Sequence, residues 1–306
     1  MMSSLGIPLV QGLRMLVNGP SGQLVQIPEP DEDCVMEPGQ NLRQTLDILA
    51  GKVPVSIPEL PSRLDALMRP YQKEGFSFLY RITERGFGAC LADDMGLGKT
   101  LQAIAWLDAL RRKGRLEGLP ALIVAPASLL SNWKEEAQRF APELILRIMH
   151  PSSPDPWQPE NTLRRKDCHA VITTYGMAAR TSALADLHFP AIILDEAQAI
   201  KNAGSARSRA IRSLHGERRI ALSGTPVENN LNELWSLMEF LNPGLLGSRK
   251  SFESFTRSLE RGYAPLRRLV RPFILRRMKT DPALVPDLPD KMEIPAYCSL
   301  TPEQAA

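Results

Sequence analysis

Phe87-Gly88-Ala89-Cys90-Leu91-Ala92-Asp93-Asp94-Met95-Gly96-Leu97-Gly98-Lys99-Thr100 is an apolar run that breaks into a glycine-rich turn and leads into helical spacing from Leu101 to Leu110. The change of pattern predicts a buried strand, a loop and a helix. The same alternation recurs downstream: Ala121 to Ala125 precedes Ser128 to Phe140, Ala170 to Thr174 precedes Gly176 to Leu187, and Ala191 to Leu194 precedes Ser205 to Leu214. A fifth run, Arg219 to Leu222, precedes Leu231 to Leu241, and a helical pattern through Tyr71, Phe76, Leu79 and Tyr80 lies upstream. Continuous apolar strands alternating with helices predict an α/β fold: a parallel sheet with helices on both faces, since every parallel connection needs a crossover. Ligands bind such sheets at the carboxyl ends of the strands.

Polar chemistry gathers at those ends. Gly96-x-Gly98-Lys99-Thr100 between a strand and a helix offers converging backbone N–H groups, a positive helix end and an ammonium, which together suit a triphosphate. Thr100 adds a hydroxyl suited to Mg²⁺. Asp93 occupies the place of the first glycine of the usual phosphate-loop pattern, and a glycine-rich turn with a lysine is also an ordinary turn; the flanking strand and helix favour the phosphate reading. Ile192-Ile193-Leu194 then delivers two adjacent carboxylates, Asp195 and Glu196, to a strand end. Beside a phosphate loop, Asp195 would hold Mg²⁺ through water and Glu196 would orient or deprotonate the attacking water. The bland alternative is a helix start decorated with acids.

Four segments in order, Met68-Arg69-Pro70-Tyr71-Gln72, Ala92 to Thr100, Asp195-Glu196-Ala197-Gln198 and Leu222-Ser223-Gly224-Thr225-Pro226, resemble the motifs of superfamily-two helicase-like ATPases. Asp94 to Thr100, Asn230-Leu231-x-Glu233-Leu234-Trp235-x-Leu237-x-x-Phe240-Leu241-x-Pro243 and Pro272-Phe273-x-Leu275-Arg276-Arg277 resemble the Swi/Snf-type DNA translocases in particular. The resemblance runs from about Leu64 to Lys279 and implies a RecA-like lobe that binds ATP and Mg²⁺. It implies a nucleotide site made of Gln72, which would read adenine, and of Asp93, Asp94, Met95, Gly96, Leu97, Gly98, Lys99 and Thr100. Lys99, Asp195 and Glu196 would carry catalysis, with Thr100 and Asp195 toward the metal. It implies coupling through Gln198, Ser223, Gly224 and Thr225, although Gln198 stands where the family usually has histidine. It also implies backbone contacts to double-stranded DNA from Ser128, Asn132, Thr173, Thr174 and Tyr175, whose hydroxyls and amides are sequence-indifferent phosphate donors. Gln72 can equally be structural, Ser223-Gly224-Thr225 can be a simple turn, and Trp133 reads as a core or groove-wall residue rather than a base-stacking platform.

Length and charge agree with such a lobe. The chain has 306 residues, enough for one large α/β domain with appendages, and its net charge of +3 confines any nucleic-acid surface to a local patch. Cys34, Cys90, Cys168 and Cys298 form no C-x-x-C pair, and the four histidines have no metal-ligand spacing; a reducing, cytoplasmic setting is expected, near the nucleoid in a bacterium, to which Gln198 and the compact basic segment point. Residues 1–62 read as a linker or remnant with a short helix around Leu42 to Leu49, residues 63–243 as the ATP-binding lobe, and residues 244–306 as a basic helical protrusion with a Pro-rich exit. The basic stretch Arg249 to Lys279 is either a solvated face or a contact for DNA or for a second RecA-like lobe. That lobe, with its transition-state arginines, must come from elsewhere, so weak binding and slow hydrolysis are expected of this chain alone. An RNA-directed motor and a nucleotide-gated binding module are the competing readings; a small-molecule kinase shares only the phosphate loop.

Overall fold

A computed structural model describes residues 56–153, 168–224, 231–257 and 263–281. The helix around Leu42 to Leu49, most of the 1–62 segment, Thr225, the stretch from Pro226 to Asn230 and the exit beyond residue 281 lie outside the described residues.

All five apolar runs become neighbouring parallel strands. β1 (Ala89–Leu91), β2 (Ala121–Ala125), β4 (Ala170–Thr174), β6 (Ile192–Leu194) and β8 (Arg219–Leu222) are joined by β3 (Leu146–Met149) and β9 (Ile274–Leu275) in one sheet ordered β3-β4-β2-β6-β8-β1-β9. Every pairing is parallel, with Leu122 opposite Val171 and Ile192, and Ala89 opposite Ile220. The central strands are buried throughout, as a sheet covered on both faces requires. β5 (His188–Phe189) and β7 (His215–Gly216) make a separate two-stranded pair.

The helices are α1 (Ser62–Leu67), α2 (Pro70–Thr83), α3 (Lys99–Arg112), α4 (Leu130–Phe140), α5 (Tyr175–Arg180), α6 (Ala206–Arg212), α7 (Leu231–Leu241), α8 (Arg249–Arg257) and α9 (Ala264–Val270). α3 is buried on nearly every side from Leu101 to Leu110, so it is a core helix rather than an amphipathic one. The indole of Trp106 reaches the Thr83 hydroxyl of α2 at 3.0 Å, which satisfies its N–H inside that core. The helix expected over Gly176 to Leu187 stops early, at Arg180. There the Thr181 hydroxyl and N–H both donate to the Met177 carbonyl, at 2.9 and 3.0 Å, and turn the chain out of the helix. α8 and α9 turn apolar residues inward, Phe252 and Phe255 from one and Leu266, Leu269 and Val270 from the other, and leave much of their basic surface outside. Among the described residues no helix is long and apolar enough to cross a membrane.

The chain's return to the sheet at β9 was not expected. Residues 244–306 read as a basic helical protrusion with a Pro-rich exit, yet Ile274 and Leu275 within them pair with Cys90 and Leu91 of β1. Two residues later Arg277, 7% exposed, meets the wholly buried Asp93. Its Nε donates to Asp93 Oδ1 at 2.9 Å and its Nη2 to Asp93 Oδ2, a two-pronged charge-assisted contact. Nη2 also donates to Gln102 Oε1 of α3 at 2.9 Å, and Nη1 to the Tyr71 carbonyl of α2. One guanidinium therefore joins β1, α2, α3 and the exit segment.

The clasp also accounts for a glycine in mid-helix. A Cβ at Gly75 of α2 would lie 1.7 Å from Gln102 Oε1 and 2.7 Å from Arg277 Nη2. Glycine within a helix ordinarily costs about 0.5–1 kcal/mol against alanine, so Gly75→Ala would normally stabilise. Here Gly75→Ala is expected to lower the urea midpoint, because the new methyl displaces the clasp. Arg277→Met, which strands a buried carboxylate, is expected to cost about 3–5 kcal/mol, with a further Asp93→Leu change recovering a substantial part. Equilibrium unfolding of the four proteins checks both expectations.

Candidate nucleotide-binding site

The carboxyl ends of β1, β6 and β8 supply the site. With β8 between them, β1 and β6 stand about 10 Å apart, two strand spacings. After β1 the chain turns through Gly96 (φ 82°) and Gly98 (φ 75°) into α3, and left-handed backbone at these points favours glycine. Gly98 is the N-cap and has no side chain to cap with, which leaves the first-turn N–H groups of α3 for an anion. A Cβ on Gly98 would also strike Gln72 Nε2, at 2.4 Å.

Lys99, 8% exposed, curls its ammonium onto the loop, donating to the carbonyls of Asp93 at 2.7 Å and Asp94 at 3.3 Å. Burial lowers its pKa, while the carboxylates of Glu196, Asp93, Asp195 and Asp94 act in the opposite direction. Thr100 follows, half-buried in the first turn. Asp94 Oδ2 accepts from the Lys279 N–H at 2.9 Å, Met95 is exposed, and Leu97 packs against Tyr71. Gln72 is buried: Oε1 accepts the Arg69 N–H at 2.9 Å and Nε2 donates to the Leu97 carbonyl at 3.3 Å, so it braces the loop from α2. Asp93, which the resemblance places in the nucleotide site at the position of the usual first glycine, instead faces Arg277 in the interior.

Across the edge, Asp195 is 4% exposed and held at three atoms. Oδ2 accepts the Trp133 indole N–H at 2.7 Å, Oδ1 accepts the Glu196 N–H at 2.9 Å, and its carbonyl accepts the Tyr175 hydroxyl at 2.7 Å. Burial raises the Asp195 pKa; the Trp133 bond lowers it and the Glu196 charge raises it further. Glu196 has φ 49° and ψ 56°, the one left-handed non-glycine among the described residues. Its carboxylate accepts from Gln198 Nε2 at 2.6 Å, and Gln198 Oε1 accepts from the Ser223 hydroxyl at 3.1 Å. A hydrogen-bonded line therefore runs from β8 to Glu196. Gly224 completes the floor: a Cβ there would lie 3.0 Å from Met95 Cγ and 4.0 Å from Lys99 Nζ.

The residues read as DNA contacts are divided. Ser128 and Asn132 are exposed at the end of β2 and the start of α4, Asn132 donating to Glu136 at 3.1 Å. Thr173 is fully buried with its hydroxyl on the Met149 carbonyl at 2.8 Å, so this side chain is turned away from solvent. Thr174 is half-buried and caps α5, accepting from Met177 N–H at 3.2 Å, and Tyr175 points inward to Asp195. Trp133, read as core, is fully buried, but its bond to Asp195 was not anticipated. Nor were Gln102 and Arg277 as loop supports; for Arg277 the Leu275-Arg276-Arg277 motif was the available signal.

A family model described as the SNF2-related domain matches residues 71–306. The chain belongs to the SNF2-related family. Similar proteins include YwqA of Bacillus subtilis, named as an ATP-dependent helicase/translocase, 44% identical over 246 residues that cover 78% of this chain and 26% of YwqA. The chromatin-remodeling ATPase INO80 of Pyricularia oryzae is 36% identical over 299 residues, covering 91% of this chain and 15% of INO80. The solved Sulfolobus solfataricus SWI2/SNF2 ATPase core in complex with dsDNA is 42% identical with a TM-score of 0.68, over 82% of this chain and 53% of that one. The chain thus spans about a quarter or less of these two relatives' lengths and about half of the solved core. The SNF2-related lobe has the α/β, RecA-like architecture that the sequence implied.

The strained backbone at Glu196 yields a measurable asymmetry. A left-handed conformation costs an L-residue about 1–2 kcal/mol. Glu196→Gly is therefore expected to leave stability unchanged or raise it by up to about 1 kcal/mol. Asp195→Gly, which orphans the buried Trp133 N–H, should cost about 1–3 kcal/mol. Urea denaturation of the two variants tests the ordering.

Proposed function

We propose that this chain is the ATP-binding lobe of a DNA-dependent ATPase whose complete form moves along double-stranded DNA and remodels protein–DNA complexes. The observation that carries the reading is the meeting, on one sheet edge, of Lys99 at an uncapped helix start with Asp195 and Glu196 and the Gln198–Ser223 line. A triphosphate with Mg²⁺ suits this donor set. The α3 N-terminus and Lys99 would hold phosphate oxygens, and the Thr100 hydroxyl and Asp195, through water, would hold Mg²⁺, which when bound offsets charge developing on the transferred phosphoryl group. Lys99 would leave the loop carbonyls of Asp93 and Asp94 for the phosphates. Glu196 would orient or accept a proton from the attacking water, held in place by Gln198. Gln198 and Ser223, with Gly224 beside Lys99 and Thr225 next in sequence, would relay the state of that site toward bound nucleic acid.

Ser128 and Asn132, exposed beside the same edge, are the best-placed side chains for a phosphate backbone. Similarity at 42% identity to a core solved with dsDNA favours duplex DNA over RNA. The partner in this reading is a second RecA-like lobe, whose arginines would raise hydrolysis by ~10³ to 10⁵. The lobe itself would run to about Lys279, because β9 and Arg277 complete it, and the setting would be cytoplasmic.

Lys99→Ala is expected to weaken ATP binding roughly tenfold to a hundredfold, the loss of one charge-assisted contact. Glu196→Gln should keep binding and lose turnover once a second lobe is supplied. Calorimetric titration with ATP, and phosphate release with duplex DNA or duplex RNA added, are the measurements. Unchanged affinity in Lys99→Ala would sink the nucleotide reading, and stimulation by RNA alone would replace DNA with RNA as the partner.

A further inference from the structure

Two elements that follow neighbouring strands reach inward to the same residue. α4 follows β2 and buries only Leu130, Trp133 and Ala137, so its other face, with Asn132, is outside. α5 follows β4 and begins with the buried Tyr175. The Trp133 indole donates to the Asp195 carboxylate and the Tyr175 hydroxyl to the Asp195 carbonyl, each at 2.7 Å. These are neutral donors on long, stiff aromatic arms. One fixes the carboxylate and the other the main chain behind it, and neither adds a charge that would compete with a metal ion.

We propose that Trp133 and Tyr175 form an aromatic clamp that positions Asp195 for Mg²⁺ and ties that position to the outer face of α4, so that occupancy of Ser128 and Asn132 by a duplex alters metal–nucleotide affinity. The proposal rests on the reading of Asp195 as the metal-side carboxylate. It follows from geometry that either arm alone leaves incomplete. Trp133 fixes the direction of the carboxylate, Tyr175 fixes the main chain, and together they hold the residue that precedes the left-handed Glu196. Strained backbone persists only where its surroundings over-determine it. β6 pairs directly with β2 and β2 with β4, so the elements that follow β2 and β4 lie on the same side of β6 in the sheet.

Trp133→Phe and Tyr175→Phe each remove one donor; the second keeps its ring, and the first exchanges the buried indole for a smaller ring. Binding of a fluorescent ATP analogue to the 306-residue chain, followed by anisotropy in Mg²⁺ and again in EDTA, separates positioning from packing. Trp133→Phe is expected to lose about tenfold in affinity with Mg²⁺, the worth of one hydrogen bond to a charged group, and Tyr175→Phe, which loses a bond to a neutral carbonyl, about threefold to tenfold. Both should match the parent chain in EDTA and in affinity for a short DNA duplex. In the parent chain the duplex should shift Mg²⁺-nucleotide affinity, and in the variants that shift should shrink. Equal loss with and without metal would mark the two residues as core only and overturn the proposal, as would no loss at all. If Trp133→Phe fails to fold, Tyr175→Phe, which deletes a single oxygen, decides alone. Lys99→Ala serves as the control: if it and the parent bind the analogue equally, with or without Mg²⁺, the nucleotide reading itself has failed before the clamp is judged.

Discussion

A carboxylate with no access to water sits at the start of the glycine-rich loop, and the surrounding structure is arranged to keep it paired. Asp93 leaves β1 pointing into the core, where an unpaired charge is not tolerated. Arg277 answers it with two prongs, and Gln102 fills the remaining space, donating to Asp93 Oδ2 at 3.4 Å and accepting from Arg277. The same Gln102 amide donates to the carbonyls of Leu97 and Gly98, so the pair is continuous with the last turn of the loop. Its conformation therefore depends on a residue 184 positions downstream. This constraint accounts for the short strand β9, for Gly75 in the middle of a helix, and for the aspartate where a phosphate loop commonly has glycine.

Position in the sheet then decides which chemistry meets which. β8 separates β1 from β6, and its carboxyl end brings Ser223 and Gly224 between the lysine and the acidic pair. The Ser223–Gln198–Glu196 line spans that gap through a side-chain amide, which donates at one end and accepts at the other. A histidine in place of Gln198 would carry out the same two tasks only in one tautomer, and it would add a titration near neutral pH. Glutamine adds no titrating group of its own to the link. With glutamine at this position the hydrogen-bonded line from Ser223 to Glu196 is continuous.

Much of this was legible in the chain, and the reason is physical. β1, β2 and β6 are wholly apolar and β4 and β8 largely so, because they are covered on both faces, and β1, β6 and β8 are closely followed by polar groups; that contrast survives in one dimension. β9 has two residues inside a basic stretch and carries no periodicity, so only its register against Cys90 and Leu91 reveals it. β3 is an edge strand with Arg147 in its middle, which blurs the apolar pattern. The phosphate loop and the acidic pair could be read from composition at a strand end. The partners of those residues could not, since Trp133 and Asp195 are 62 positions apart and nothing in either segment names the other.

Thr173 and Tyr175 show where motif reading reaches its limit. Hydroxyls at the end of a strand make good phosphate ligands, but a strand alternates its sides, and alternation between Thr173 and Thr174 sends one into the protein. Thr173 satisfies the Met149 carbonyl of the next strand, and Thr174 spends its oxygen on capping α5. Tyr175, buried at the first turn of that helix, has one polar atom and one carbonyl within reach, and that carbonyl belongs to Asp195. A buried hydroxyl must find an acceptor, so once the strand order places β4 beside β2 and β2 beside β6, this contact follows from the need to satisfy it. The segment that resembles a nucleic-acid motif is in this way also part of the wall behind the acidic pair.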